Sequence, residues 1–135
     1  MKTHLLALTL LLALGAPAFA EEDPAFMQHF FAPELVLKHA REIGLSAQQR
    51  SAITKDIGRV TGDTTTLQLS MLEGFGTIED LAAADPVNEQ ALLDAIHDVL
   101  TAELEVKEAH MGLLIRIRNL LTEEQREKMK RLRDA

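Results

Sequence analysis

Leu45-Ser46-Ala47-Gln48-Gln49 reads as a helix start, and Leu121-Thr122-Glu123-Glu124-Gln125 repeats its pattern of a Leu, a hydroxyl residue, two arbitrary residues and a Gln. Ser or Thr at an N-cap accepts a hydrogen bond from the backbone N–H three residues on, while Gln at that third position reaches back to the cap's own N–H. Each stretch is therefore a capping box, Ser46 with Gln49 and Thr122 with Gln125. The preceding Leu45 and Leu121 are placed to staple against the first buried residue of the new helix, Ile53 or a neighbour in one copy and Met129 in the other.

Downstream of Ser46, apolar or small residues recur at Ile53, Ile57, Val60, Thr64, Leu67, Met71, Phe75, Ile78 and Leu81 in steps of four and three, which is a heptad seam. Gly58, Gly62, Gly74 and Gly76 each weaken a helix by up to about 1 kcal/mol, and residues 74–77 are the expected place for a break or kink. Gly58 and Gly62, four apart, also suit close backbone approach between helices. Ala82-Ala83-Ala84-Asp85-Pro86 ends this helix and starts the next, with Asp85 as cap and Pro86 at the first helical position. The next seam reads Leu92, Ile96, Val99, Glu103, Val106, His110, Leu113, Ile117 and Leu120, apolar except at Glu103 and His110.

Upstream, Pro33 suits the first turn of a short first helix that buries Leu35, Val36, Ala40 and Ile43, and Gly44 fits the left-handed position that ends it. A last helix, rich in Lys and Arg, follows Thr122. The fold class is all-α: a four-helix hairpin with two long antiparallel helices, each on the order of 50 Å at about 1.5 Å per residue. Two such helices cannot bury their apolar faces alone, so a homodimer is expected.

The first twenty residues carry Lys2, an apolar run from Leu5 to Leu14 and Ala18-Phe19-Ala20 ahead of Glu21-Glu22-Asp23. This is the pattern of a secretory signal peptide cleaved after Ala20, too short to span a bilayer that needs about 20 apolar residues. Residues 21–32, with Phe26, Phe30 and Phe31, read as a flexible arm, and residues 33–135 as the helical domain. Cleavage removes only Lys2 from the 14 Lys and Arg and none of the 21 Asp and Glu, leaving a formal charge of −8. Nucleic acid is a poor partner for so acidic a chain. With no Cys, neither disulfides nor a lipid-modified Cys contribute, and stability falls to helix packing or a partner chain. The charge is segregated: residues 73–108 hold ten acidic residues and one Lys, residues 116–133 seven Lys and Arg against three Glu.

Taken together, the signal segment, the two LTxxQ-type motifs (Leu45, Ser46, Gln49 and Leu121, Thr122, Gln125) and the Ala-rich turn between long helices resemble the Spy/CpxP family of periplasmic proteins, which includes metal-binding relatives of the ZraP and CnrX type. The resemblance covers nearly all of residues 33–133. It implies a thin, cradle-like homodimer in the periplasm and two kinds of function. Spy-like members bind unfolded or partly folded proteins on the concave face without ATP, and CpxP-like members also damp a membrane sensor kinase. CnrX-like and ZraP-like members bind transition metals. This chain departs from the Spy pattern in being acidic, where Spy-like binding is aided by a basic concave surface.

For metal binding the candidates are His39, Glu42, Glu103 and His110, since imidazole is a common ligand for nickel, cobalt, copper and zinc. Convergence requires the first helix to cross the third near His110. The ligand pairs four apart that metal-sensing relatives use are missing, because Ile43 follows His39 and Leu114 follows His110 at that spacing. The plainer reading is two partly buried imidazoles hydrogen-bonded to Glu42 or Glu103. For client binding the candidates are Phe26, Phe30, Phe31, Met71 and Phe75, since flexible Met and aromatic surfaces suit varied partners. The client-binding reading requires no cofactor. An enzyme is not expected: there is no Cys nucleophile, Gly-rich phosphate loop or nucleophilic Ser motif.

Overall fold

A computed structural model describes residues 24–135. The signal segment and the first residues of the expected arm lie outside the described residues. The described residues divide into two units between Phe30 and Phe31. In the first, the described part is a short 3-10 helix, Ala25–His29, closed by hydrogen bonds from Met27 N–H to Pro24 O and from Phe30 N–H to Met27 O. The second unit is all-helical, with no strand among the described residues: α1 (Pro33–Lys38), α2 (Ala47–Ala82), α3 (Glu89–Leu120) and α4 (Glu123–Asp134).

Both capping boxes form as the residue types require. Ser46 Oγ accepts from Gln49 N–H at 3.0 Å while Gln49 Oε1 accepts from Ser46 N–H at 2.9 Å, and Thr122 with Gln125 makes the same pair of bonds at 3.2 and 2.9 Å. Gly44 has φ +69°, the left-handed conformation expected of it. The first helix is shorter than its apolar pattern suggests, because the α-helical ladder stops at Lys38 and turns carry the chain from His39 to Gly44.

Two expectations about the long helices are corrected. The second helix runs unbroken through Gly74 and Gly76. Gly74 is needed there for packing: a Cβ built on it falls 2.5 Å from Val99 Cγ2, so its bare backbone lets α2 and α3 approach. Gly58 and Gly62 have no such neighbour among the described residues, so they mediate no close approach between these helices. The third helix begins at Glu89 rather than Pro86, capped by Asn88, whose side chain accepts from Ala91 N–H at 3.1 Å.

Side-chain contacts between α2 and α3 pair later residues of one with earlier residues of the other. Gln49 reaches the Leu120 carbonyl at 2.8 Å, Asp56 meets Arg116 at 2.6 Å, and Gly74 lies against Val99. The core gathers where all four helices are present, around Phe31, Val36, Ile43, Ile53, Val60, Leu113, Ile117, Leu121 and Met129. Burial of each such large side chain is worth roughly 1.5–3 kcal/mol. Toward the α2–α3 connection only Ile78 and Val99 are buried, because no third helix among the described residues covers that part. The α3 seam shifts at one turn: Ala109 packs on the core in place of His110, which is exposed.

The two motifs meet in space. Gln49 Nε2 donates to Gln125 Oε1 at 2.8 Å, and Gln125 Nε2 donates to Gln49 Oε1 at 3.0 Å. The remaining N–H of each amide reaches a backbone carbonyl, Leu120 O from Gln49 at 2.8 Å and Gly44 O from Gln125 at 3.1 Å. With the cap bonds counted, both amides use both donors and both acceptor positions. Such a saturated network can sit in a core without an unmet polar group, and Gln125 is 7% exposed.

Candidate functional site

The metal-ligand candidates fall into separate places. His39 lies at the end of α1 with its side chain largely covered, and its Nδ1–H donates to Glu42 Oε1 at 2.7 Å, the plainer of the two readings for this residue. Glu103, half-buried on α3, takes an ion pair from Lys107 at 3.3 Å, one turn along. His110 faces solvent. Among the described residues no group of three or more His, Cys, Asp or Glu is placed to hold a metal ion. One chain thus joins His39 to Glu42 and does not bring the four candidates together.

The aromatic and Met candidates divide differently. Phe31 is not part of an arm: it is 2% exposed in the core, and Arg133 of α4 lies over its ring, 5.3 Å from the centroid. Its ring and apolar neighbours outcompete water for that place. Phe26, in the N-terminal unit, is 48% exposed, and Phe30 is half-buried. Met71 and Phe75 are half-buried on the α2 seam, as seam positions should be.

The large exposed apolar surface is elsewhere and is made of leucines. Leu69 and Leu72 on α2 are 59% and 70% exposed, and Leu93, Leu100 and Leu104 on α3 are 52%, 52% and 55% exposed. They occupy the part of the unit that is two helices thick, where none of the described residues covers them. Their spacing carried a signal: Leu93, Leu100 and Leu104 follow in steps of seven and four, a second helical stripe beside the buried one. Leu69 and Leu72, three apart, share a face of α2 in the same way.

Charge sorts along the unit as well. The ten carboxylates between residues 73 and 108 belong to the two-helix part, and its one Lys, Lys107, is engaged by Glu103. The basic residues belong to the four-helix part, where several are tied locally: Lys128 to Glu124 at 3.0 Å and Lys130 to Glu127 at 2.8 Å. Asp56 forms an ionic link between the long helices. It accepts from Arg116 at 2.6 Å and from Arg59 at 2.7 Å, and the Arg116 hydrogen bond, helped by Arg59 and opposed by partial burial, holds its carboxyl below the usual aspartate range.

No helix among the described residues is long and apolar enough to cross a membrane. Comparison with family models, with characterised proteins and with solved structures gives no match.

Proposed function

We propose that this chain is a periplasmic, ATP-independent binding protein of the Spy/CpxP type that holds unfolded or partly folded polypeptides on the leucine-bearing part of α2 and α3. The observation that carries the reading is the set of five leucines, each more than half exposed, on two long helices that a small chain keeps in water. Large apolar side chains exposed along neighbouring helices are the usual mark of an interaction site. The paired LTxxQ-type motifs support the family part of the reading. In this reading α2 and α3 form an antiparallel hairpin, two copies make a cradle-like homodimer, and the chain reaches the periplasm by cleavage after Ala20. A membrane sensor protein is the further partner, through which a CpxP-like member damps an envelope-stress response. No cofactor or enzymatic step is involved.

The purified protein, at low molar excess, is expected to suppress light scattering by a chemically unfolded client diluted from denaturant, with no nucleotide added. Absence of suppression at every salt concentration removes the reading.

A second reading, a periplasmic heavy-metal sensor of the CnrX/ZraP type, is favoured by one observation: Glu42 Oε1 holds His39 Nδ1–H at 2.7 Å, the carboxylate–imidazole arrangement that leaves Nε2 as the ligating nitrogen. Glu103 and His110 complete the donor set only if a second copy brings them there. Calorimetric titration with nickel, cobalt, copper and zinc tests it. Tight binding lost in both His39→Ala and His110→Ala supports this site, and affinity unchanged by both sinks it.

A further inference from the structure

We propose that the two-helix end of the molecule selects basic amphipathic polypeptide segments, whose apolar stripe covers the exposed leucines while their Lys and Arg meet the carboxylates beside them. The proposal rests on the client-binding reading above and names the client's chemistry.

Three features of the surface point to it. First, each exposed leucine stripe is rotated in the same sense from the buried seam of its own helix: on α3, Leu100 and Leu104 each follow a seam position, Val99 and Glu103, by one residue, or about 100° on an ideal helix. On α2, Leu72 follows Met71 by one residue, the same offset, and Leu69, two past Leu67 and about 200° round, lies at the outer edge of the face that Leu72 occupies. In helices that run in opposite directions, rotations of like sense bring both stripes toward one side of the pair, so the leucines can act as a single strip.

Second, the strip has an acidic border. Asp94 follows Leu93, Glu105 follows Leu104 and Glu73 follows Leu72, each one residue further round its helix, and all three are exposed. Asp98 extends the same border, four residues from Asp94 and seven from Glu105. Glu73, Asp98 and Glu105 have no cationic partner among the described residues, and Asp94 accepts only a neutral bond from Gln90. Their field therefore points outward instead of being consumed by local ion pairs.

Third, the surface is mixed in the manner of a helix-binding groove, with apolar anchors at i, i+7 and i+11 and charge at the margin. Leucine burial supplies affinity, and the carboxylates supply choice: a cationic flank is attracted and an anionic flank repelled, both effects fading beyond a Debye length of about 8–10 Å at ordinary salt.

Three labelled peptides of equal length test this by fluorescence anisotropy against the purified protein: one with a Leu stripe and Lys elsewhere, one with the same stripe and Glu, and one with Lys and Ser but no stripe. The Leu/Lys peptide is expected to bind roughly tenfold more tightly than the Leu/Glu peptide at low salt, the gap closing as salt rises. Combined Glu73→Gln, Asp98→Asn and Glu105→Gln should narrow that gap severalfold without weakening the Leu/Glu peptide. Leu100→Ser with Leu104→Ser should weaken both striped peptides; circular dichroism checks that these exposed changes leave the helices intact.

Equal affinity for the Leu/Lys and Leu/Glu peptides overturns the preference for basic segments while the client-binding reading stands. Lys/Ser binding as tight as Leu/Lys overturns the proposal in favour of bare charge attraction. If no peptide binds and the protein also fails to suppress client aggregation, both readings fall together. If sedimentation shows a dimer that the leucine changes dissociate and the Leu/Lys peptide does not displace, a second copy owns the face and the proposal is overturned.

Discussion

Gln49 and Gln125 show how far a local motif reaches. Each cap was legible because its bonds run between residues three apart, a range that the chain's own geometry fixes. The bond between the two glutamines spans 76 residues, and no local pattern announces it. Gln49→Glu replaces the donating Nε2 by an acceptor, so Leu120 O loses its side-chain donor and Gln125 Oε1 keeps only the Thr122 N–H while facing a carboxylate. We expect a loss of about 1–3 kcal/mol in urea unfolding, and an unchanged midpoint would contradict the network. Asp56 gives a second test at this scale. Its folded pKa is depressed by Arg116 and Arg59, so its contribution is fully present above the unfolded value of about 3.9 and is lost as pH falls through the lower folded value. Asp56→Asn should therefore cost stability at neutral pH and cost progressively less below about pH 4. Stability curves that run parallel across that window would contradict the linkage. Phe31 reads as part of an arm because no local pattern ties it to a helix; its ring is buried in a core assembled from residues far apart in sequence, Val36, Ile53, Ile117 and Met129 among them, with Arg133 over its face.

At the level of the helices, the heptad seams placed α2 and α3 correctly because burial follows period, as Ile53, Val60, Ile78, Val99, Leu113 and Ile117 show. What period does not give is where a cap competes. Asp85-Pro86 is as good a start on paper as Asn88, and the chain uses Asn88. Nor does it distinguish glycines. Propensity alone marks all four in α2 as weak points, whereas the contact at Val99 makes Gly74 a packing residue and leaves Gly58 and Gly62 open. Gly74→Ala should destabilise the protein by about 1–3 kcal/mol by forcing α2 from α3, despite the better helix former. Gly58→Ala and Gly62→Ala should each stabilise it by up to about 1 kcal/mol in thermal unfolding. The opposite order of effects would contradict the packing at Val99. His110 tells the same lesson in reverse: a strict four-step from Val106 lands on it, but the small Ala109 fits the contact and the imidazole turns to water.

For the molecule as a whole, one seam per helix satisfies the sequence pattern, and single leucines off a seam are common on surfaces. Only the arrangement of helices makes them conspicuous, since it leaves α2 and α3 uncovered in the part where those leucines lie. The same arrangement confines the ten carboxylates to that end and the basic α4 to the other. The metal candidates were named by residue type and fell apart by position: His39 closes on Glu42, and Glu103 on Lys107. Client binding at the leucine face is tested most directly by methyl NMR of the protein, labelled at Leu, Ile and Met, titrated with a permanently unfolded client. Shifts and broadening are expected at Leu69, Leu72, Leu93, Leu100 and Leu104, while Ile117 and Met129 in the four-helix core stay unchanged. Perturbation confined to the core end, or none at saturating client, would contradict the assignment.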